Sequence, residues 1–193
     1  MTGTSDTAAC VWALNTRLIA GATATETLLG WCEEHGLSDG PITVDVGQQF
    51  ASSVVPDDVL PALALDPSDT IHYRQVQLMR GSLPLAAAEN WYLPQRLTAA
   101  VNEALLRTNV PFGQVIAPLQ PFRRTLAANP QPHAEIILVH SAVILSRLGT
   151  ALALVKESYF SNLVSFAPTP SPVHGAVNVR LEPSEAQNVG LAP

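Results

Sequence analysis

The sequence predicts an α+β fold, a mostly antiparallel sheet with helices packed on one side. Three observations lead there. Helix-spaced apolar residues and a capping box open the chain. Two pairs of strand-like runs follow, each joined by a short glycine turn. One helical stretch lies between the pairs.

The first helix is expected from about Ser5 to Ile19, with Val11, Leu14, Leu18 and Ile19 near helical spacing and Gly21 ending it. Thr23 and Glu26 form a capping box that starts a second helix. Leu28, Leu29, Trp31 and Cys32 supply its apolar side, and Gly36 closes it. A helical hairpin over about residues 5–36 results. Ile42 to Gln49 alternates weakly and reads as a strand. Pro56-Asp57-Asp58 suits a helix start, giving a short helix through Leu60 to Leu63. Ile71–Arg80 and Leu83–Leu93 read as a hairpin turning at Gly81-Ser82. Pro94 opens a helix carrying Leu97, Val101 and Leu105. Pro111-Phe112-Gly113 reads as a loop, and so does the segment bearing Arg123-Arg124. Glu135–Leu145 and Thr150–Phe160 form a second strand pair around Gly149. Five of the sixteen prolines follow Phe166, so residues 167–193 read as an extended or disordered tail after a single domain over 1–166.

Composition narrows the function. With 193 residues, 47% of them apolar, the chain can build a substantial core. Ten Lys+Arg against sixteen Asp+Glu give a net charge of −6, which argues against a nucleic-acid or anionic-membrane partner. No apolar run reaches the roughly 18 residues of a membrane span. The N-terminus lacks the basic and apolar regions of a signal peptide, so the expected compartment is the cytoplasm. Cys10 and Cys32 read as thiols in a reducing cytosol, with a disulfide between the two helices as the alternative. Charged residues are only 13%, which points to surface covered by a partner or by self-association, and a monomer or a homodimer is expected.

Arg74 is the most informative residue. Strand period two places it with Val76 and Leu78 on the dry face, opposite Tyr73, Gln75, Gln77 and Met79. A guanidinium there is paired, with Glu89 or Glu157, or it awaits an anion such as a carboxylate. Glu157 shares a face with Ala153, Val155 and Tyr159 in the last strand. It is either a desolvated acid–base group or an edge glutamate. Glu89, beside Trp91, poses the same choice. The five histidines show no HxxxH or HExxH spacing, so no metal site is legible. A phosphate loop and a G-x-S-x-G elbow are also missing.

Several segments, taken in order, carry a resemblance: His72-Tyr73-Arg74-Gln75-Val76-Gln77-Leu78, Ala88-Glu89-Asn90-Trp91-Tyr92-Leu93-Pro94, Pro111-Phe112-Gly113, Arg124, and Lys156-Glu157-Ser158-Tyr159-Phe160. From about Thr25 to Phe166 the chain resembles the chorismate pyruvate-lyase family, whose fold some effector-binding domains of transcription regulators share. The resemblance implies a cofactor-free lyase that eliminates pyruvate from chorismate, or a close relative, to give a hydroxybenzoate. It casts Arg74 as carboxylate binder, Glu157 as the key glutamate of the last strand, Phe112 and Gly113 as the loop offering a backbone amide, and Arg124 as a further arginine. Asn90 falls where the lyases carry an arginine over the site, with acidic Glu89 as its neighbour. An early helical segment near Thr25 to Leu29 is expected to offer further amides. Two alternatives stand beside the lyase. One is the same pocket acting on another small metabolite by elimination, dehydration or cyclisation, with Glu157 or Glu89 as acid–base group. The other is a small-ligand-binding module without catalysis. The first 70 residues hold one basic residue, Arg17, which speaks against a DNA-binding head.

Overall fold

The computed structural model describes residues 3–166, apart from residue 22 and residues 53–54. The tail expected over 167–193 lies outside the described residues. Helices α1 (Gly3–Ala20) and α2 (Ala24–Glu34) come first. Strand β1 (Ile42–Ser52) and the short α3 (Leu60–Leu63) follow, then the hairpin β2 (Ile71–Arg80) and β3 (Leu83–Tyr92). Next are α4 (Ala99–Arg107) and α5 (Phe112–Ile116), then β4 (Phe122–Pro130), β5 (Ile136–Leu145) and β6 (Ala151–Phe160). The strands form one antiparallel sheet in the order β1-β2-β3-β6-β5-β4. Among the described residues, no helix is long and apolar enough to cross a membrane.

Local chemistry explains the elements. The Thr23 side chain accepts the Glu26 amide at 3.2 Å and caps α2. Gly81, at φ 57°, turns β2 into β3, and a Cβ there would meet Ser38 Oγ at 2.9 Å. On one sheet face α1 and α2 bury Val11, Leu14, Leu18, Leu28 and Trp31 against Val76, Leu78 and Tyr159. Each such side chain contributes about 1.5–3 kcal/mol of burial, so Leu28→Ala would cost about 2–5 kcal/mol. The Trp31 indole N–H donates to the Leu163 carbonyl at 2.8 Å and ties α2 to the turn after β6. Helices α4 and α5 cover the rest of this face through Leu105, Phe112 and Ile116. The opposite face packs Tyr73, Trp91, Val143 and Leu154 under Val59 and Leu63 at α3. Both cysteines are free; Cys32 is buried and Cys10 partly exposed.

Three local expectations are corrected. Residues 122–130 form a strand rather than a loop, because β5 offers them a hydrogen-bonding edge. Pro94–Arg96 is a separate 3₁₀ turn, and α4 begins only after Thr98, whose hydroxyl accepts the Val101 amide at 3.3 Å. Pro111 is an extended cap, and Phe112 and Gly113 already belong to α5.

Candidate functional site

A cavity of about 550 Å³, its open mouth included, lies between the sheet and the helices. Strands β2, β3 and β6 furnish its floor with Val76, Ala88, Asn90 and Glu157. The first turn of α2, Thr23 to Thr25, and the start of α5, Pro111 to Gly113, form its walls. Phe122 and Arg123 of β4 close the remaining side. The α2 turn lies beside the segment from which the resemblance expects backbone amides, and its N–H groups have no intrahelical acceptor. Gly113 lets α5 approach the α2 cap, since a Cβ there would sit 3.3 Å from Thr23 Cβ.

Glu157 lies at the centre of a buried network. Its Oε2 accepts from Arg123 Nη2 at 2.7 Å and from the Tyr159 hydroxyl at 2.8 Å. His140 stands across the ladder from Glu157. Its Nδ1 lies 3.4 Å from Arg123 Nη2, and its Nε2 lies 2.8 Å from Asn15 Oδ1 of α1. An amide oxygen requires a donor and a guanidinium requires an acceptor, which assigns the proton of neutral His140 to Nε2. Burial, then the Arg123 charge, pushes the His140 pKa down to about 4, against a smaller pull from Glu157. Burial opposes the Arg123 cation, but Glu157 and Tyr159 together outweigh it and raise the arginine's pKa. Burial and then Glu157 hold Tyr159 well above the ordinary phenol range, so it stays a neutral donor.

Arg74 is fully buried on the expected face, yet it meets no carboxylate. Its Nη2 donates to the carbonyls of Thr108 at 3.2 Å and Val110 at 3.4 Å, and its Nε has no partner among the described residues. Burial lowers its pKa. It stands at the cavity margin, opposite Asn90 in the ladder, and Asn90 Nδ2 donates to the Arg74 carbonyl at 3.1 Å. The pairings weighed for Arg74 are therefore both absent: Glu157 is taken by Arg123, and Glu89 points to the other face, where it accepts the Tyr73 hydroxyl at 2.7 Å.

The structure thus brings Glu157, Asn90, Phe112 and Gly113 to one cavity with Arg74 at its edge, and leaves Glu89 and Arg124 out. Arg123 takes the inward place expected of Arg124. In the ladder Arg123 faces Ile144, on the helix side, while Arg124 faces Val143, on the other side. Arg123, His140 and Asn15 were not anticipated. For His140 a signal existed, since it alternates with Leu138 and Ala142 on a dry face by the same reasoning that exposed Arg74. The side chains of Arg74 and Arg123 are both buried on this side of the sheet; Arg123 meets the buried carboxylate of Glu157, and Arg74 rests on backbone carbonyls.

No family model matches the chain. In fold it is similar to PhnF from Mycobacterium smegmatis, with a TM-score of 0.52 and 9% identity over 76% of this chain and 67% of that one. A weaker likeness, TM-score 0.45 and 14% identity, covers 63% of this chain and 83% of the ligand-binding domain of a Bordetella bronchiseptica regulator assigned to the GntR family. The PhnF match shows the chorismate lyase-like α+β fold and nothing of activity. In sequence the chain is 35% identical over 181 residues to the uncharacterized protein y4mC of Sinorhizobium fredii (strain NBRC 101917 / NGR234), covering 81% of this chain and 76% of that protein. At that identity over that length, the chain belongs to the family of y4mC.

Proposed function

We propose that the protein binds a small ring-containing carboxylate in the cavity between α2, α5 and the sheet. One observation carries this reading: of two buried guanidiniums on the helix-covered side of the sheet, Arg123 pairs with Glu157 and Arg74 meets no carboxylate among the described residues. With His140 neutral, the interior there holds one uncompensated positive charge. An unpaired buried charge is costly, and a monoanionic ligand would relieve it. Arg123 Nε and Arg74 Nε, both buried without a partner among the described residues, supply free donors. Apart from Thr23, Thr25, Asn90, Arg123 and Glu157 the lining is apolar, with Val76, Phe112 and Ile144 suited to a ring.

A second reading, elimination of pyruvate from chorismate, is favoured by Glu157, an ionisable group on the cavity wall. In this reading Arg74 and Arg123 hold carboxylate, and Glu157 moves a proton near the ring hydroxyl. Aromatisation of the product supplies the driving force, so the protein's task is orientation and polarisation.

One experiment separates the readings. The full chain is titrated with 4-hydroxybenzoate by calorimetry, then incubated with chorismate and chromatographed for 4-hydroxybenzoate and pyruvate. Binding that weakens at least about tenfold in Arg74→Met and falls with salt supports the carboxylate site. Product formation lost in Glu157→Gln supports the lyase. Folded protein that neither binds nor turns over either compound would overturn both.

A further inference from the structure

A second concavity lies on the opposite sheet face, with about 1080 Å³ of empty space including its open side. The β-ladder builds one wall. Phe50, Tyr73 and Trp91 are direct cross-strand neighbours on β1, β2 and β3. Their ring centroids are 5.2 Å and 5.3 Å apart, tilted by 43° and 51°; Tyr73 and Trp91 are buried at the base of the groove, and Phe50, 49% exposed, presents its ring to it.

Among the described residues the charges lining this groove are of one sign, Asp57 and Glu89, with no lysine or arginine. Lys156 stands directly across the ladder from Glu89, the natural place for an ion pair. Its ammonium goes instead to Asp58 Oδ2 at 2.7 Å and lies 5.4 Å from the Trp91 ring centroid. Glu89 keeps only the Tyr73 hydroxyl, which burial and Glu89 itself push up to about 12 and so keep neutral. Among the described residues no cation forms an ion pair with Glu89.

An exposed aromatic face and a carboxylate without an ion-pair partner in one open groove are complementary to one ligand chemistry. We propose that the groove of Phe50, Tyr73, Trp91 and Glu89 is a binding site for a small organic cation, an amine or methylated ammonium. The exposed Phe50 ring holds the charge by its attraction to its π face, Tyr73 and Trp91 back it, and Glu89 supplies the counter-charge. The site stands on residues separate from the cavity across the sheet, so neither reading depends on the other.

The test is a titration of the full ¹⁵N-labelled chain, followed by heteronuclear NMR, with benzylammonium chloride, benzyl alcohol and sodium benzoate. Benzylammonium should give saturable shifts at the Trp91 indole and the amides of Tyr73 and Glu89. Benzyl alcohol and benzoate should bind there at least about tenfold more weakly. Glu89→Gln should weaken benzylammonium by about tenfold, and Phe50→Leu, an exposed change that leaves folding intact, by a few-fold. Phe50→Leu decides the matter if Glu89→Gln does not fold. No saturable shift, equal affinity for benzyl alcohol, or unchanged affinity in the folded variants would overturn the proposal.

Discussion

On the helix-covered face of the sheet, buried arginines outnumber carboxylates. On the other face, the groove-lining carboxylates meet no cation among the described residues. The chemistry of the two faces differs because their exposure differs. Arg123, Glu157, Tyr159, His140 and Asn15 are withdrawn from water, so each needs a partner, and the five form one connected network. Glu89 sits in an open groove, where solvent tolerates a single neutral partner. Removing one member should therefore be costly on the first face and cheap on the second.

The largest effect tests that contrast most directly. Arg123→Met strands the Glu157 carboxylate, and Glu157→Gln strands the Arg123 cation. Either should cost about 3–5 kcal/mol by urea denaturation. The double variant should cost less than the sum of the two, as expected for a coupled pair. Single variants within about 1 kcal/mol of the parent would break the contrast, since they would mean water reaches the pair.

The network also sets a pH dependence. His140 titrates near 4 in the folded protein against an ordinary 6.5, so between those values the unfolded chain binds the proton that the folded chain refuses. Stability is full above the ordinary value and falls as pH drops through this window. The slope approaches about 1.4 kcal/mol per pH unit, and the loss reaches up to about 3 kcal/mol. Urea midpoints measured from neutral pH downward should show this decline in the parent and a flatter profile in His140→Gln. Parallel profiles would remove His140 from the account.

Two smaller changes sharpen the comparison. Asn15→Ala takes the acceptor from His140 Nε2 and should cost about 1–2 kcal/mol, linking α1 to the cavity floor. Glu89→Gln keeps an acceptor for the Tyr73 hydroxyl and should change stability by no more than about 0.5 kcal/mol. A larger loss in a thermal melt would show that Glu89 is structural, and the two faces would then be alike.

Much of the frame was legible in the sequence. The hairpin of β2 and β3 and the pair β5 and β6 fall where alternation and glycine turns put them. Period two placed Arg74 and Glu157 on dry faces, and both are buried there. What escaped was decided between strands. β4 has an ambiguous pattern, Phe-Arg-Arg-Thr-Leu, and becomes a strand only because β5 presents an edge.

By itself the sequence determined the fold class, most element boundaries and which side chains share a face, because helix capping, turn chemistry and alternation are local properties of the chain. The tertiary structure alone decided the partners. Arg123 points in where Arg124 was expected, Arg74 rests on carbonyls, and Lys156 leaves Glu89 for Asp58. The reason is physical. Period two fixes the phase within a strand, but the register between strands, which sets the distance from one charge to the next, is fixed by the packing of the whole core.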